Sequence, residues 1–119
     1  MVGHHFVEKM RQSDANANIT VLCGEANLAY DRVYLSSVFD GKTANDLALT
    51  TLENYQQLNI SVFTNQWVEG IDRVNKVVNT QTGDQYPYDK LVLATGSFPF
   101  VPPIKGNDQP HCLVYRTLE

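Results

Sequence analysis

Gly3 and Glu25 have the spacing of residues that hold a dinucleotide. Gly3 lies just ahead of a helical pattern, and Glu25 follows the next apolar run, twenty-two positions later. In a dinucleotide-binding βαβ unit a glycine permits close helix–strand packing, and the helix N-terminus faces the pyrophosphate. An acidic residue about 20 positions further on holds the ribose hydroxyls. One glycine and one glutamate at this distance also occur by chance, so a purely structural role stays open.

Two further segments carry residues suited to an anionic or a flat ligand. In "YDRVYLSS" Arg32 can make bidentate contacts to a diphosphate and Ser36 can donate a neutral hydrogen bond. A solvated loop arginine is the alternative. In "LVLATGS" an apolar run leads into Thr95 and Gly96, and ligands of open α/β sheets bind beyond the carboxyl ends of the strands. Gly96 lets the backbone approach a flat ring system, with a plain turn glycine as the alternative.

Alternating helix and strand patterns must position these residues. The order of helix, strand, helix and strand favours a parallel α/β sheet. Thr50 and Glu53 have the spacing of a capping box at the start of the second helix. The predicted elements are a helix of about ten residues from Val2, a strand at 19–23, a helical turn at 36–39, a helix ending near Asn59 and a strand at 60–64.

The pattern of predicted elements changes after the second predicted strand. Residues 67–88 contain three short strand patterns, "WVEGIDRV", "KVVNT" and "QYPYD", separated by the turn signals "NK" and "TGD". This arrangement predicts a small antiparallel meander of three strands. Residues 90–95, "KLVLAT", return to the pattern of a strand that is buried on both faces of a sheet.

Composition and charge exclude several classes of protein. With 119 residues, 43% hydrophobic and 18% charged, the chain fits at most one globular domain. The net charge of −4 with scattered lysines and arginines argues against a nucleic-acid partner. No apolar run approaches the roughly 20 residues of a membrane span, and no signal peptide pattern is present, so we expect a cytoplasmic protein.

The cysteines and histidines show no pattern of a metal or catalytic site. Cys23 and Cys112 lie far apart and form no C-x-x-C or C-x4-C pair, which predicts neither a disulfide framework nor a redox-active dithiol. The three histidines have no metal-ligand spacing. We therefore assign no catalytic residue and no metal ligand within this chain.

The segments "MVGHHF", "ITVLCGEANLAYDRVYLSS", "YDKLVLATGSFPFVPPIKG" and "VYRTLE" together carry a family resemblance. They resemble the N-terminal FAD-binding region of the large subunits of assimilatory NAD(P)H-dependent nitrite reductases, within the pyridine nucleotide-disulfide oxidoreductase superfamily. The resemblance covers nearly the whole chain in order. It implies part of a doubly wound, Rossmann-like FAD-binding domain over residues 1–119, with the meander at about 67–88 as an insertion.

The resemblance also implies roles for individual residues. Gly3 matches the last glycine of the FAD fingerprint, and Glu25 matches the acid near the adenosine ribose. The remaining matches are Arg32 and Ser36 at the FAD diphosphate, Val68 at a position whose backbone meets adenine, and Thr95 and Gly96 in the second flavin signature.

By the same resemblance, the whole enzyme takes hydride from NAD(P)H onto FAD and passes electrons singly through an iron-sulfur cluster to sirohaem, where nitrite becomes ammonia. The chain resembles a fragment, because the family has a strand and "GxG" before "MVG" and further domains after "RTLE". We therefore expect NAD(P)H, the cluster and sirohaem to bind to other parts of the enzyme. Those parts and a small subunit are the expected partners.

A missing first strand has physical consequences. In a doubly wound sheet that strand is central, so its neighbours would lie about 10 Å apart with unpaired edges. We expect an inactive fragment that binds FAD weakly or not at all, and self-association into a homo-oligomer through the exposed sheet edges. Two other interpretations stay open, namely the FAD-binding part of a ferredoxin- or rubredoxin-type NAD(P)H reductase and a non-catalytic truncated module.

Overall fold

Two small β-sheets, three α-helices and one 3-10 helix make up the ordered elements of the computed structural model, which describes residues 1–118. One sheet is a parallel pair and the other has three antiparallel strands. This architecture confirms the predicted α/β class and the separate antiparallel sheet. The elements are α1 (Val2–Ser13), β1 (Ile19–Leu22), a 3-10 helix (Leu35–Asp40), α2 (Ala44–Leu47), α3 (Leu52–Gln57), β2 (Ile60–Phe63), β3 (Val68–Asp72), β4 (Val77–Thr80) and β5 (Gln85–Pro87).

The parallel pair forms the centre of the main hydrophobic core. β1 and β2 run side by side with Ile19 opposite Ile60, as the two short apolar runs predict. Helices α1 and α3 contribute Val7 and Tyr55, which are buried together with Ile60. Helix α1 precedes β1, and α3 lies between β1 and β2 in the chain. Apolar side chains from both helices therefore pack against the parallel pair.

The start of α3 differs from the prediction. Thr51, and not Thr50, is the N-cap, and its hydroxyl accepts a hydrogen bond from the Asn54 backbone N–H at 3.2 Å. Thr50 is buried, and its hydroxyl oxygen accepts from the Asn54 side-chain amide at 3.0 Å. The prediction was wrong by one residue because two adjacent threonines offer the same capping chemistry, and the burial of Thr50 decides between them.

A short helix that the sequence analysis missed precedes α3. Helix α2 begins after Thr43, whose side chain accepts from the Asp46 backbone N–H, while the Asp46 carboxylate accepts from the Thr43 backbone N–H at 2.7 Å. This is a complete capping box, and its hydrogen bonds lower the pKa of Asp46. The predicted helical turn at 36–39 is confirmed by the 3-10 helix, whose Leu35 packs with Tyr30 and Leu47 in a second small core.

The antiparallel meander forms as predicted. β4 pairs with β3 on one side and β5 on the other. The first turn is closed by Asp72, whose carboxylate accepts from the backbone N–H groups of Val74 and Asn75 at 2.9 Å. The second turn uses Gly83 at a φ of 85°, which a glycine adopts without steric cost. Local turn chemistry therefore fixes the register of this sheet.

The predicted strand at residues 90–95 does not form. The segment has no regular secondary structure and belongs to neither sheet, and its apolar side chains are exposed. β1, the nearest strand of the same apolar character, pairs with β2 alone among the described residues. A strand is defined by a partner, and the apolar pattern of residues 90–95 does not specify one.

Candidate functional site

Glu25 and Arg32 form an ion pair at the carboxyl end of β1. Arg32 Nη2 donates to Glu25 Oε1, and both side chains are about three-quarters buried. The Tyr30 hydroxyl donates to the other carboxylate oxygen, Glu25 Oε2, at 2.7 Å. Two of the residues that the sequence analysis singled out, seven positions apart, therefore meet in one hydrogen-bonded cluster.

Tyr30 is the buried residue that supports this cluster. Its side chain is only 3% exposed, and its backbone forms an isolated antiparallel bridge with Ala48. Burial raises the pKa of Tyr30 to about 12, with the hydrogen bond to Glu25 and the charge of Glu25 adding to the effect. Tyr30 thus remains a neutral donor, and the Arg32 guanidinium lies 4.6 Å from the centre of its ring, a cation–π contact that fixes the arginine in place.

Some N–H donors of the Arg32 guanidinium remain for a ligand. It has five N–H groups, of which Nη2 serves Glu25 and Nη1 donates to the backbone carbonyl of Arg116 at 2.9 Å. Within the described part of the chain, these two hydrogen bonds leave three N–H groups of the planar guanidinium. A guanidinium held by an acid, a tyrosine ring and a carbonyl is preorganised to bind an anion such as a diphosphate.

Arg116 is a residue of this cluster that the sequence analysis missed as a site residue. Its carbonyl accepts from Arg32, and its own side chain donates to Ser97 O at 3.0 Å and Ser97 Oγ at 3.2 Å. Arg116 thereby joins the loop after β1 to the segment that contains Gly96. The signal in the sequence was "VYRTLE", but Arg116 lies 84 positions from Arg32, so no local spacing indicated the contact.

Gly96 lies where Arg116 contacts the segment that follows the meander. Its φ is 73°, a backbone conformation that strongly favours glycine. A Cβ atom on Gly96 would lie 3.4 Å from Nη2 of Arg116, which is an ordinary van der Waals contact. Thr95 precedes it and is exposed. The positive φ is therefore what favours glycine at position 96.

Gly3 brings α1 against the same segment. A Cβ atom on Gly3 would lie 3.3 Å from the Cβ atom of Ala94, which is tighter than most van der Waals contacts. The N-cap of α1 is Met1, and no side chain caps this end of the helix. The uncapped N–H groups and the positive end of the helix dipole of a 12-residue helix therefore lie next to residues 94–96.

Ser36 and Val68 lie outside this cluster. Ser36 is exposed on the 3-10 helix, and Val68 is exposed at the start of β3 in the meander. Trp67, the residue before Val68, connects the meander to the site, because its ring would be 2.8 Å from a Cβ atom on Gly24 and its centroid is 6.4 Å from that of Phe98. Contacts through Ala94 and Arg116 thus connect Gly3, Thr95 and Gly96 with Glu25 and Arg32. Ser36 and Val68 take no part in these contacts.

His4 takes part in packing, whereas His5 and His111 are exposed. His4 is 6% exposed, and its Nδ1 lies 3.2 Å from the Tyr55 hydroxyl. Burial lowers the pKa of His4, and the neighbouring His5 adds to this effect while Glu8 opposes it. Across residues 1–118 no group of three or more histidine, cysteine or acidic side chains is arranged to hold a metal ion. No helix in that part of the chain is long and apolar enough to cross a membrane.

Comparisons with known proteins identify relatives of this chain. The family described as "Pyridine nucleotide-disulphide oxidoreductase" matches residues 1–119. The chain is 46% identical to the nitrite reductase (NADH) large subunit of Escherichia coli, over 100% of this chain and 14% of that protein. It is 36% identical to the nitric oxide reductase FlRd-NAD(+) reductase of Klebsiella pneumoniae, over 86% of this chain and 27% of that protein.

A solved structure shows the same fold. The ferredoxin reductase for the CYP199A2 system from Rhodopseudomonas palustris aligns with a TM-score of 0.84 and 25% identity, over 93% of this chain and 28% of that chain. The 119 residues therefore span between about one-seventh and just over one-quarter of these three proteins.

Proposed function

This chain belongs to the pyridine nucleotide-disulphide oxidoreductase family, and we propose that it is the FAD-binding part of an NAD(P)H-dependent nitrite reductase large subunit. The identity of 46% to such a large subunit favours this member of the family. Relatives and structural neighbours support a flavin as the bound group. The reaction of the whole enzyme, electron transfer from NAD(P)H through FAD to a nitrite-reducing centre, belongs to the same proposal.

One structural observation gives the proposal its main support. Arg32 is held by Glu25, by the Tyr30 ring and by the Arg116 carbonyl, with guanidinium N–H groups to spare. Such an arrangement suits a diphosphate better than a single surface ion pair does, because the arginine is already ordered before the ligand arrives. The uncapped N-terminus of α1 supplies a second region of positive potential on the same side.

The proposed cofactor contacts follow from these positions. Glu25 accepts from the adenosine ribose hydroxyls with lone pairs that Tyr30 and Arg32 do not use, and Arg32 donates to the diphosphate. Gly96 allows close approach of the flavin ring, and Arg116 positions both Arg32 and Ser97. The full set proposed to line the FAD site is Gly3, Glu25, Arg32, Ser36, Val68, Thr95 and Gly96.

FAD is proposed in preference to a smaller flavin because of the residues involved. Glu25 and Arg32 are assigned to an adenosine ribose and a diphosphate, and FMN has neither of these groups. When bound, FAD supplies exchange between two-electron and one-electron transfer, while the protein orients it and tunes its surroundings. The residues of this chain fit the binding part of that task.

Several finer features belong to the proposal as well. Residues 1–119 form part of one FAD/NAD(P)-binding domain, with the meander as an insertion. NAD(P)H, an iron-sulfur cluster and sirohaem bind to other parts of the enzyme, whose further domains and small subunit are the proposed partners. The unpaired cysteines Cys23 and Cys112 suit the reducing conditions of the cytoplasm, where we propose that the protein acts.

A second candidate function has its own support. The relative from Klebsiella pneumoniae and the structure from Rhodopseudomonas palustris are reductases for other electron-transfer proteins. A ferredoxin- or rubredoxin-type NAD(P)H reductase would use the same FAD contacts. The reading frame around this sequence separates the two, since cysteine ligands for a cluster and sirohaem indicate nitrite reduction, whereas an end after one small further domain indicates the second function.

Titration with two flavins tests the binding part of the proposal. The purified chain is titrated with FAD and with FMN, and flavin fluorescence and visible absorbance are followed. We expect weak but saturable FAD binding that is at least about tenfold tighter than FMN binding, because charge-assisted contacts to the diphosphate are missing in FMN. Equal affinities for the two flavins, or no saturable binding, would support a non-catalytic module instead.

A further inference from the structure

The Trp67 indole lies against the carboxyl end of β1. A Cβ atom on Gly24 would lie 2.8 Å from Cε3 and 3.1 Å from Cζ3 of this ring. The six-membered part of the indole therefore occupies the space that a side chain at position 24 would need. Gly24 directly precedes Glu25. The indole thus lies beside the backbone that carries the acid proposed to bind the adenosine ribose.

Backbone hydrogen bonds fix the segment that leads into Trp67. The Asn65 N–H donates to the Glu25 carbonyl at 3.1 Å, and the Gln66 N–H donates to the Cys23 carbonyl at 2.8 Å. Asn65 has a φ of 55°, a left-handed conformation that asparagine adopts more readily than most residues. The chain therefore turns back over the end of β1 immediately before Trp67, and main-chain contacts determine where its side chain begins.

Trp67 also lies between the two residues proposed for the adenosine half of FAD. Glu25 is proposed at the ribose, and Val68, whose backbone is proposed to meet adenine, directly follows Trp67. The adenine base is bonded to the ribose, so a base that reaches from Glu25 to Val68 passes the indole. Trp67 is 48% exposed, so part of its ring packs on Gly24 and the rest can contact a flat ligand.

We propose that the Trp67 indole stacks against the adenine of FAD, an inference that rests on the proposed FAD site. Stacking on an aromatic ring strengthens the binding of a base severalfold or more, because both surfaces are flat, polarisable and largely apolar. Gly24 allows this arrangement, since a side chain there would displace the ring. Trp67 thereby favours a flavin nucleotide that contains adenine over one that does not.

Titration of three variants with three ligands tests this role. The chain is titrated with FAD, with FMN and with ADP, which has the adenosine and diphosphate of FAD but no flavin. Trp67→Leu removes the aromatic ring, and Trp67→Phe keeps a smaller one. Phe63→Leu is the matched control, because it makes a similar exchange at a residue that is 42% exposed and whose ring contacts Tyr86.

We expect Trp67→Leu to weaken the binding of FAD and of ADP by at least about fivefold, because the stacked ring is lost. Its FMN affinity should stay unchanged, since FMN has no adenine. Trp67→Phe should restore most of the affinity, and Phe63→Leu should bind all three ligands like the unmodified chain. ADP should also change the emission of Trp67, the single tryptophan. Circular dichroism checks that each variant keeps its fold.

Other outcomes overturn the inference. Equal affinities of the unmodified chain and Trp67→Leu for FAD and ADP would leave the proposed FAD site intact and restrict Trp67 to packing the meander against β1. A similar loss of FMN binding, or the same loss in Phe63→Leu, would assign the effect to a general loosening of the fold. An unmodified chain that binds neither FAD nor ADP would contradict the proposed function as well.

Discussion

The apolar runs at β1 and at residues 90–95 have similar composition but different surroundings. β1 lies beside β2, and the core residues Val7, Tyr55 and Ile60 pack against Ile19 and Val21. Residues 90–95 have no strand beside them among the described residues, and Leu93 is 67% exposed. The difference teaches that an apolar β-branched pattern does not form a strand by itself, because pairing and burial depend on neighbours that are distant in sequence.

Residues up to 88 and the segment after them also differ in how they are stabilised. Residues up to 88 contain every named helix and strand and nearly all of the buried side chains. The segment after them contacts the packed part at a few places. The Arg116 carbonyl accepts from Arg32 and the Tyr115 hydroxyl donates to the Leu35 carbonyl. The rings of Phe98 and Tyr115 lie against Trp67 and Phe39. We therefore expect the packed part to determine global unfolding and the later segment to open locally.

A pair of isoleucine substitutions gives the largest expected effect. Ile60 is 5% exposed in the core around β2, whereas Ile104 is 63% exposed. Ile60→Ala should lower the free energy of unfolding by about 2–5 kcal/mol, through lost burial and the cavity that remains. Ile104→Ala should change it by less than about 0.5 kcal/mol. Urea unfolding followed by circular dichroism measures both, and equal losses would contradict the division into two regions.

The sequence predicted most of the packed region, for local reasons. Short apolar runs with polar breaks located β1 and β2, and the turn signals located the three strands of the meander. Thr50 was chosen as the N-cap because local spacing does not reveal which of two threonines is buried. Residues 90–95 were predicted as a paired strand because the sequence pattern contains no information about the partner.

The contact between Gly24 and Trp67 links the end of β1 to the meander, and the substitution Gly24→Ala tests this contact. A Cβ atom at Gly24 would lie 2.8 Å from the Trp67 ring, so Gly24→Ala must displace the indole. We expect a loss of about 1–3 kcal/mol in stability from overpacking. Because Trp67 is the single tryptophan, its fluorescence maximum should shift at the same time.

Gly70→Ala is the matched control for this substitution. A Cβ atom there meets its nearest neighbour only at 4.0 Å, on the Asn79 side chain, so the tryptophan spectrum should stay unchanged. Identical spectra for the unmodified chain and Gly24→Ala would show that β1 and the meander are not in contact through Trp67.

The smallest expected effect is a pH dependence in the packed region. Burial holds the pKa of His4 below its usual value in the folded chain, so the unfolded chain binds the proton more readily. Stability from the neutral form is complete above about pH 6.5 and is lost as the pH falls below that value. His4→Gln should flatten this part of the stability curve, whereas His111→Gln, an exposed residue, should not. Identical slopes for both variants would assign the pH dependence to other groups.

The site was predicted in part, and the reason is again distance along the chain. Glu25 and Arg32 lie in one loop, so family motifs and local spacing were enough to predict both as cofactor-binding residues. Arg116 reaches the same cluster from 84 positions away, and only the folded chain shows that its carbonyl holds Arg32. Ser36 and Val68 were nominated by resemblance, and their assignment to the FAD site stays a prediction.

FAD titration of Arg32→Lys tests the central claim most directly, namely that the ordered Arg32 holds the FAD diphosphate. Arg73→Lys, an exchange at an exposed residue, serves as the control. We predict that Arg32→Lys weakens FAD binding about tenfold or more, because lysine keeps the charge but loses the planar fork. Arg73→Lys should bind FAD like the unmodified chain. Equal FAD affinity in all three proteins would contradict the account.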